Sequence, residues 1–179
     1  ISRSIVAAKK KLGPNTLVVH FSPHGQPMTQ DAIRTLTQHH QLILLCGRYE
    51  GIDQRVIDAE VDLNFCVSDC IFSGGEIPAL ACIDAMIRCL PQALSNPCSA
   101  EQDSFSAGLL DHPHYTRPLF FKNIAVPPVL LSGNHVKIRS WCKAQALRLT
   151  QKYRPDLFAC HPDASKKSNG LTASTPADK

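Results

Sequence analysis

The sequence predicts an α/β fold, a parallel sheet with helical crossovers, followed by a small helical domain. Three observations predict it. Short apolar, β-branched runs alternate with helix-period segments through the first half of the chain, and a helix is the usual crossover between parallel strands. One of those runs, Gln41 to Cys46, is almost continuously apolar, as expected of a strand covered on both faces. From Ser95 the composition shifts to Ser, Asn, Pro, Asp, Glu and Gly, and the pattern beyond is helical and basic.

Thr16 to Ser22 (TLVVHFS) reads as the first strand, ended by Pro23, His24 and Gly25. Thr29 is the expected N-cap of a helix through Asp31, Ile33, Leu36 and Thr37. Gln41 to Cys46 is the expected central strand and stops at Gly47. A second helix starts near Asp53 and carries Val56, Ile57 and Ala59; Leu63 to Val67 is a third strand, and Ser73-Gly74-Gly75 a turn. The run from Ile77 to Leu90, with Pro78 in its first turn, reads as a helix. Residues 95–108 read as a flexible linker, and the proline-punctuated stretch from Asp111 to Gly133 as irregular. Asn134 caps a helix with Ile138, Trp141, Cys142, Ala146 and Leu149 on one stripe and Arg139 and Lys143 on another. The expected organisation is an α/β domain over 1–94, the linker, a helical domain over 109–161, and a polar, disordered tail over 162–179.

Composition sets the outer bounds. With 179 residues, 44% hydrophobic and 19% charged, the chain can build a packed core. No apolar run reaches the ~20 residues of a membrane helix, and no leader pattern follows Ile1, so a cytoplasmic protein is expected. A chain starting at Ile1 is expected to be a fragment or a trimmed form. The eight cysteines do not read as a disulfide scaffold: Cys46, Cys66, Cys82 and Cys89 sit in apolar runs, as core thiols of a reducing compartment do. Cys66 and Cys70 are spaced C-x3-C and His112 and His114 lie two apart, but neither has a second pair at zinc-finger distance, so no structural metal site is expected.

Charge is divided unevenly. Residues 1–94 hold 8 basic and 9 acidic side chains, and residues 95–179 hold 11 and 6. Between Arg117 and Arg154 there are eight basic side chains and no acidic one, which attracts polyanions, nucleic acid first among them. A solvated helix face would look the same.

In parallel sheets ligands sit beyond the carboxyl ends of the strands. Three loops qualify: Ser22-Pro23-His24-Gly25, Cys46 to Gly51, and Val67 to Gly75. Their glycines and small residues let a ligand reach the backbone, yet none is a G-x-x-x-x-G-K-[ST] or G-x-G-x-x-G phosphate loop.

The wording of the chain is more specific. Leu45-Cys46-Gly47-Arg48-Tyr49-Glu50-Gly51-Ile52-Asp53 is followed by Ser73-Gly74-Gly75-Glu76-Ile77-Pro78-Ala79 and Gln102-Asp103-Ser104-Phe105. Gly108-Leu109-Leu110-Asp111, Pro113-His114-Tyr115-Thr116-Arg117-Pro118 and Val126 to His135 (VPPVLLSGNH) complete the series. In this order the motifs resemble the bacterial tRNA (guanine-N1)-methyltransferases of the TrmD type, from about Ile5 to Arg154. The resemblance implies a trefoil-knotted SPOUT methyltransferase domain, a linker, a helical C-terminal domain, a homodimer, and methylation of the guanine just 3′ of the tRNA anticodon. It implies S-adenosylmethionine as cofactor, with Gly47 and Val67, Ser68, Asp69, Cys70, Ile71 and Phe72 at the adenosine, and Ser22, Pro23, Gly74, Gly75 and Pro78 shaping the rest. Glu50 matches a carboxylate tied to cofactor placement and to a magnesium (Mg2+) dependence.

Guanine N1 must lose a proton before it can attack a methyl group, and negative charge then develops at O6. By the resemblance Asp103 is the base and Arg88 the group that steadies that charge. Ser104, Asp111, His114, Tyr115 and Arg117 are expected to contact the anticodon stem-loop. The chain also departs from the pattern. It lacks the family's first strand, helix and glycine-rich loop, Ser68 and Cys70 replace glycine and tyrosine, His24 replaces glutamine, and Gln92 stands where glycine ends the helix. These departures define the alternative, a degenerate or truncated member that binds tRNA or dimerises without methylating.

Overall fold

The computed structural model describes residues 1–94 and 103–163 and divides into two compact units, Ile1–Pro97 and Cys98–Lys179. The first unit runs α1 (Ser2–Leu12), β1 (Leu17–Pro27), α2 (Gln30–Leu36), β2 (Leu42–Leu45), α3 (Gln54–Glu60), β3 (Leu63–Cys66) and α4 (Glu76–Cys89). Its three strands are parallel in the order β2-β1-β3.

The central strand is β1, not the Gln41–Cys46 run. Val18, Val19, His20 and Phe21 are all buried, whereas Leu42 to Leu45 form an edge of the described sheet and are only half-buried. An apolar run thus marked a strand, but its place in the sheet was set by the crossovers. Alternate residues of β1 face opposite ways. Val19 and Phe21 join Ile33, Leu36, Phe65, Ala79 and Cys82 in the core, where α2 packs on α4. Val18 and His20 point to the other face, and α1 packs on α3 away from the α2–α4 side. There Ile5 is buried, and Asp62 ties its carboxylate to the Val18 N–H at 2.7 Å.

The helix starts follow from their caps. Thr29 accepts from the Ala32 N–H and Asp53 from the Arg55 N–H, each satisfying a donor with no partner inside the helix. Only Cys82 of the apolar-run cysteines is fully buried: Cys66 and Cys89 are half-covered and Cys46 is exposed, because it ends an edge strand. All the described cysteines are free thiols.

β1 does not stop at Pro23. It continues to Pro27, with Phe65 of β3 pairing first with Phe21 and then with Gln26, so that Ser22 to Gly25 bulge out between them. Gly25 makes this possible, since a Cβ there would overlap the Phe65 backbone.

The second unit contains a two-residue antiparallel hairpin, β4 (Phe120–Phe121) and β5 (Ile124–Ala125), then α5 (Pro128–Leu131), α6 (His135–Tyr153) and α7 (Pro155–Cys160). The hairpin and α5 lie in the stretch expected to be irregular; Lys122 and Asn123 both take positive φ, the geometry of a tight two-residue turn. Asn134 caps α6 by accepting from the Lys137 N–H. The stripe Ile138, Trp141, Cys142, Ala146 and Leu149 is half-buried, with Arg139 and Lys143 exposed. Thr150, wholly buried, donates to the Ala146 carbonyl and accepts from the Leu110 N–H at 2.8 Å, fastening the preceding loop to α6. The 95–108 linker and the 162–179 tail fall mostly outside the described residues. Among the described residues no helix is long and apolar enough to cross a membrane.

Candidate functional site

A cavity of about 730 Å³ opens at the carboxyl end of the three-stranded sheet. The bulge after Phe21, the loop after β2 and the loop after β3 all contribute to it. The order β2-β1-β3 explains why: the chain steps from β1 out to β2 through α2 and then crosses back past β1 to β3 through α3, and a crevice forms where the connection reverses.

Every residue expected at the cofactor lines this cavity except Asp69. That covers Ser22 and Pro23 from the bulge, Gly47 and Glu50 from the second loop, and Val67, Ser68, Cys70, Ile71, Phe72, Gly74, Gly75 and Pro78 from the third loop and the start of α4. Asp69 is exposed and outside the lining. Arg88 lies in the last turn of α4, exposed and away from the lining. Asp103 belongs to the second unit.

The loops are held by close backbone approach. The Gly75 N–H donates to the Gly47 carbonyl at 2.9 Å, and Arg48 forms a single antiparallel bridge with Gly74. A Cβ on Gly75 would stand 2.8 Å from the Cys46 Cα, so only glycine fits. Arg48 Nε meets Glu76 Oε1 at 2.7 Å, and the hydrogen bond holds the Glu76 carboxyl below the usual range. Burial, followed by the Glu76 charge, pushes the Cys46 thiol up, so it stays protonated. Ser68 avoids the positive-φ conformation, so its backbone does not require glycine. The Cys66 thiol donates to its carbonyl at 3.3 Å.

Three features of the cavity were not expected. His20 lines it with a buried Nδ1 that has no hydrogen-bond partner; burial pushes its pKa down, and a hydrogen bond with Asn64 only partly opposes this. Asn64 itself lies 2.9 Å from Ser22 Oγ, bridging β3 to the bulge. Tyr49 (99% exposed, φ 59°) and Ile71 (84% exposed) leave apolar surface bare at the cavity. The period-two pattern of β1 would have pointed His20 away from the main core, the one signal available in sequence.

In the second unit Ser104 Oγ accepts from the Asp111 N–H at 2.9 Å, which brings two of the expected substrate residues together. Asp111 Oδ2 lies 2.8 Å from His114 Nε2, and Tyr115 leans on Trp141 at 6.2 Å between ring centroids. Burial alone would raise the Asp111 carboxyl, but hydrogen bonds from His114 and His112 outweigh it and lower the pKa. Arg117 is exposed.

Residues 2–160 match the family model described as tRNA (Guanine-1)-methyltransferase TrmD. Three proteins named tRNA (guanine-N(1)-)-methyltransferase show how near the relatives lie. The one from Pasteurella multocida is 50% identical over 155 residues, 87% of this chain and 63% of its own. That from Thiobacillus denitrificans is 52% identical over 88% of this chain and 68% of its own. That from Coxiella burnetii is 51% identical over 88% and 64%. The chain therefore spans about two thirds of the length of the relatives it matches. With the family model covering nearly all of the described chain and half of the aligned residues identical, the chain belongs to the TrmD-type tRNA (guanine-1)-methyltransferase family.

Proposed function

We propose that this chain acts in transferring the methyl group of S-adenosylmethionine to N1 of the guanine just 3′ of the tRNA anticodon. The observation that carries the reading is the meeting of three strand-end loops at one cavity, in a chain half-identical to enzymes of that name. The volume falls within the ~300–1,000 Å³ of small-molecule sites. Its residues suit the cofactor: Val67, Ile71 and Phe72 offer apolar cover for adenine, and Gly47, Gly74 and Gly75 carry no side chain to block close approach to the backbone. When bound, S-adenosylmethionine supplies a methyl group on a positively charged sulfur. Asp103 takes the N1 proton, and Arg88 steadies the charge that develops at O6. Ser104, Asp111, His114, Tyr115 and Arg117 hold the anticodon loop, and the exposed cations of α6 hold phosphates. Magnesium fits less well. Glu50 is the one carboxylate lining the cavity among the described residues, and a Mg2+ site built on it would be mostly water, so no step is drawn through the ion.

The finer fold reading is a trefoil knot at the loops after β2 and β3, supported by the backbone-on-backbone packing of Gly75 against Cys46 and Gly47. The homodimer is supported by α4, whose Ile77, Leu80, Ile83 and Ile87 form an exposed apolar stripe. The free thiols suit a cytoplasmic protein.

Calorimetry with S-adenosylmethionine, with S-adenosylhomocysteine as competitor, tests the reading. Saturable binding of one per chain is expected, lost in Gly75→Ala. Methyl transfer to tRNA should fall by about 10²-fold or more in Asp103→Ala with cofactor binding unchanged. A folded chain that binds neither compound overturns the proposal. Binding without transfer would instead select the non-methylating alternative.

A further inference from the structure

We propose that Asp111, His112 and His114 form a binding site for a divalent transition-metal cation of the zinc class. One ligand atom from each lies within 4.8 Å of the others. His112 Nδ1 stands 2.6 Å from Asp111 Oδ1, and His114 Nε2 stands 2.8 Å from Oδ2, so both rings already turn a nitrogen toward one carboxylate. Around a cation with bonds of about 2.0–2.2 Å, tetrahedral ligand atoms stand roughly 3.3–3.6 Å apart. Small side-chain rotations would bring one carboxylate oxygen and the two ring nitrogens to that spacing.

The group is pre-positioned rather than loose. The Asp111 N–H is held by Ser104 Oγ and the Leu110 N–H by buried Thr150, so the backbone carrying the carboxylate is fixed on both sides. Pro113 separates the two histidines and restricts the backbone between them. The His112 ring meets Trp141 edge-on at 6.4 Å and His114 at 4.6 Å, which fixes its plane. Asp111 and His112 keep about a quarter of their side-chain surface exposed and His114 about 70%, so an ion has an open approach on one side.

The donor set selects the class of ion. Two imidazoles and one carboxylate suit zinc, cobalt and nickel; magnesium and calcium prefer oxygen throughout. Three protein ligands leave a coordination position open. The spacing of His112 and His114 alone had argued against a metal; the third ligand is the residue directly before His112, whose side chain folds back over both rings. The site lies in the second unit, shares no residue with the cavity of the first, and stands whether or not the chain methylates RNA.

Titration of the full chain with Co2+ alone, followed by visible absorption, tests it. One Co2+ per chain is expected, with the visible bands of a low-coordinate nitrogen and oxygen site, displaced by Zn2+. His112→Phe keeps a ring against Trp141 but removes the nitrogen, and Asp111→Asn keeps the volume but removes the charge. Each should weaken binding about tenfold or more. His114→Phe should do the same, with far-UV circular dichroism showing that all three variants fold as the parent does. Failure of the folded parent to bind Co2+ would overturn the site. So would binding unchanged in these variants, or one carrying the near-ultraviolet charge-transfer band of a cysteine thiolate.

Discussion

His20 shows what a single buried side chain costs and what it reports. Its Nδ1 is buried beside the cavity with no partner, and a buried polar atom left unpaired costs about 1–3 kcal/mol. Its pKa is lowered, chiefly by burial. Because the folded value lies below the unfolded ~6.5, the unfolded chain takes up the proton first as pH falls. The contribution is complete above that pH and is lost as pH drops from there toward the folded pKa. The slope is at most about 1.4 kcal/mol per pH unit. His20→Leu removes both the orphan atom and the titration. Urea unfolding at about pH 7.5 and about pH 5.5 should therefore show a smaller loss of stability in the variant than in the parent. An unchanged difference would place the titration elsewhere. Gln92 is a second strained position: it takes φ 65°, which a side chain disfavours. Gln92→Gly should stabilise the chain by about 0.5–1 kcal/mol, read as a higher urea midpoint. Sequence had singled out Gln92 and Ser68 alike as departures from glycine, but only Gln92 keeps the backbone that glycine serves. Residue identity carries no φ, so the two were indistinguishable until the fold was in view.

At the scale of elements, the sequence was readable where a local rule decided the outcome. Thr29 and Asn134 cap the helices they were expected to cap, and Asp53 caps the helix expected to start near it, because a side-chain acceptor at that position is a local device. It was unreadable where a non-local contact decided. β1 runs through Pro23 only because β3 repeats its pairing with Phe65 on the far side of the bulge, where Phe65 meets Gln26, a residue far from it in sequence. Gln41 to Cys46 looked central because apolar content marks a strand without naming its neighbours. Helix α4 raises the same point in reverse. Pro78, Ala79 and Cys82 face inward, while Ile77, Leu80, Ile83 and Ile87 stay 39–60% exposed, a stripe too apolar for a free surface. Leu80→Glu with Ile87→Glu should convert a homodimer to a monomer in sedimentation velocity, leaving the helix content intact. A parent that sediments as a monomer would remove α4 as a self-association face. In the second unit the test is internal. Thr150→Val leaves the Leu110 N–H without its acceptor and should cost about 1–3 kcal/mol in urea unfolding.

For the whole chain, the division of charge matches the division into units. The first half is near neutral and holds the cavity; the net positive charge lies in the second. The cavity loops were legible as a set because each follows a strand, although the residues that brace them, Asn64 and Arg48, gave no signal. The basic run was legible only as charge, and structure sorts it. Lys143 pairs with Asp163 at 2.9 Å and Arg154 with Asp156 at 2.6 Å. Arg117, Lys122, Lys137, Arg139, Arg148 and Lys152 are exposed. If this unit holds RNA through phosphates, each contact releases a condensed counterion, and log K falls against log salt by about 0.7–0.9 per phosphate neutralised. Four to six contacts from these cations would give a slope of about −3 to −5. Arg139→Ala and Arg148→Ala should each flatten it by about 1 while weakening unrelated RNAs as much as tRNA, since phosphate contacts position without reading sequence. Tyr115→Ala should act the other way, costing tRNA affinity with the slope unchanged, because a ring stacks on bases and neutralises nothing. Slopes that stay at the parent value in both arginine variants would show that the basic run is a solvated helix face.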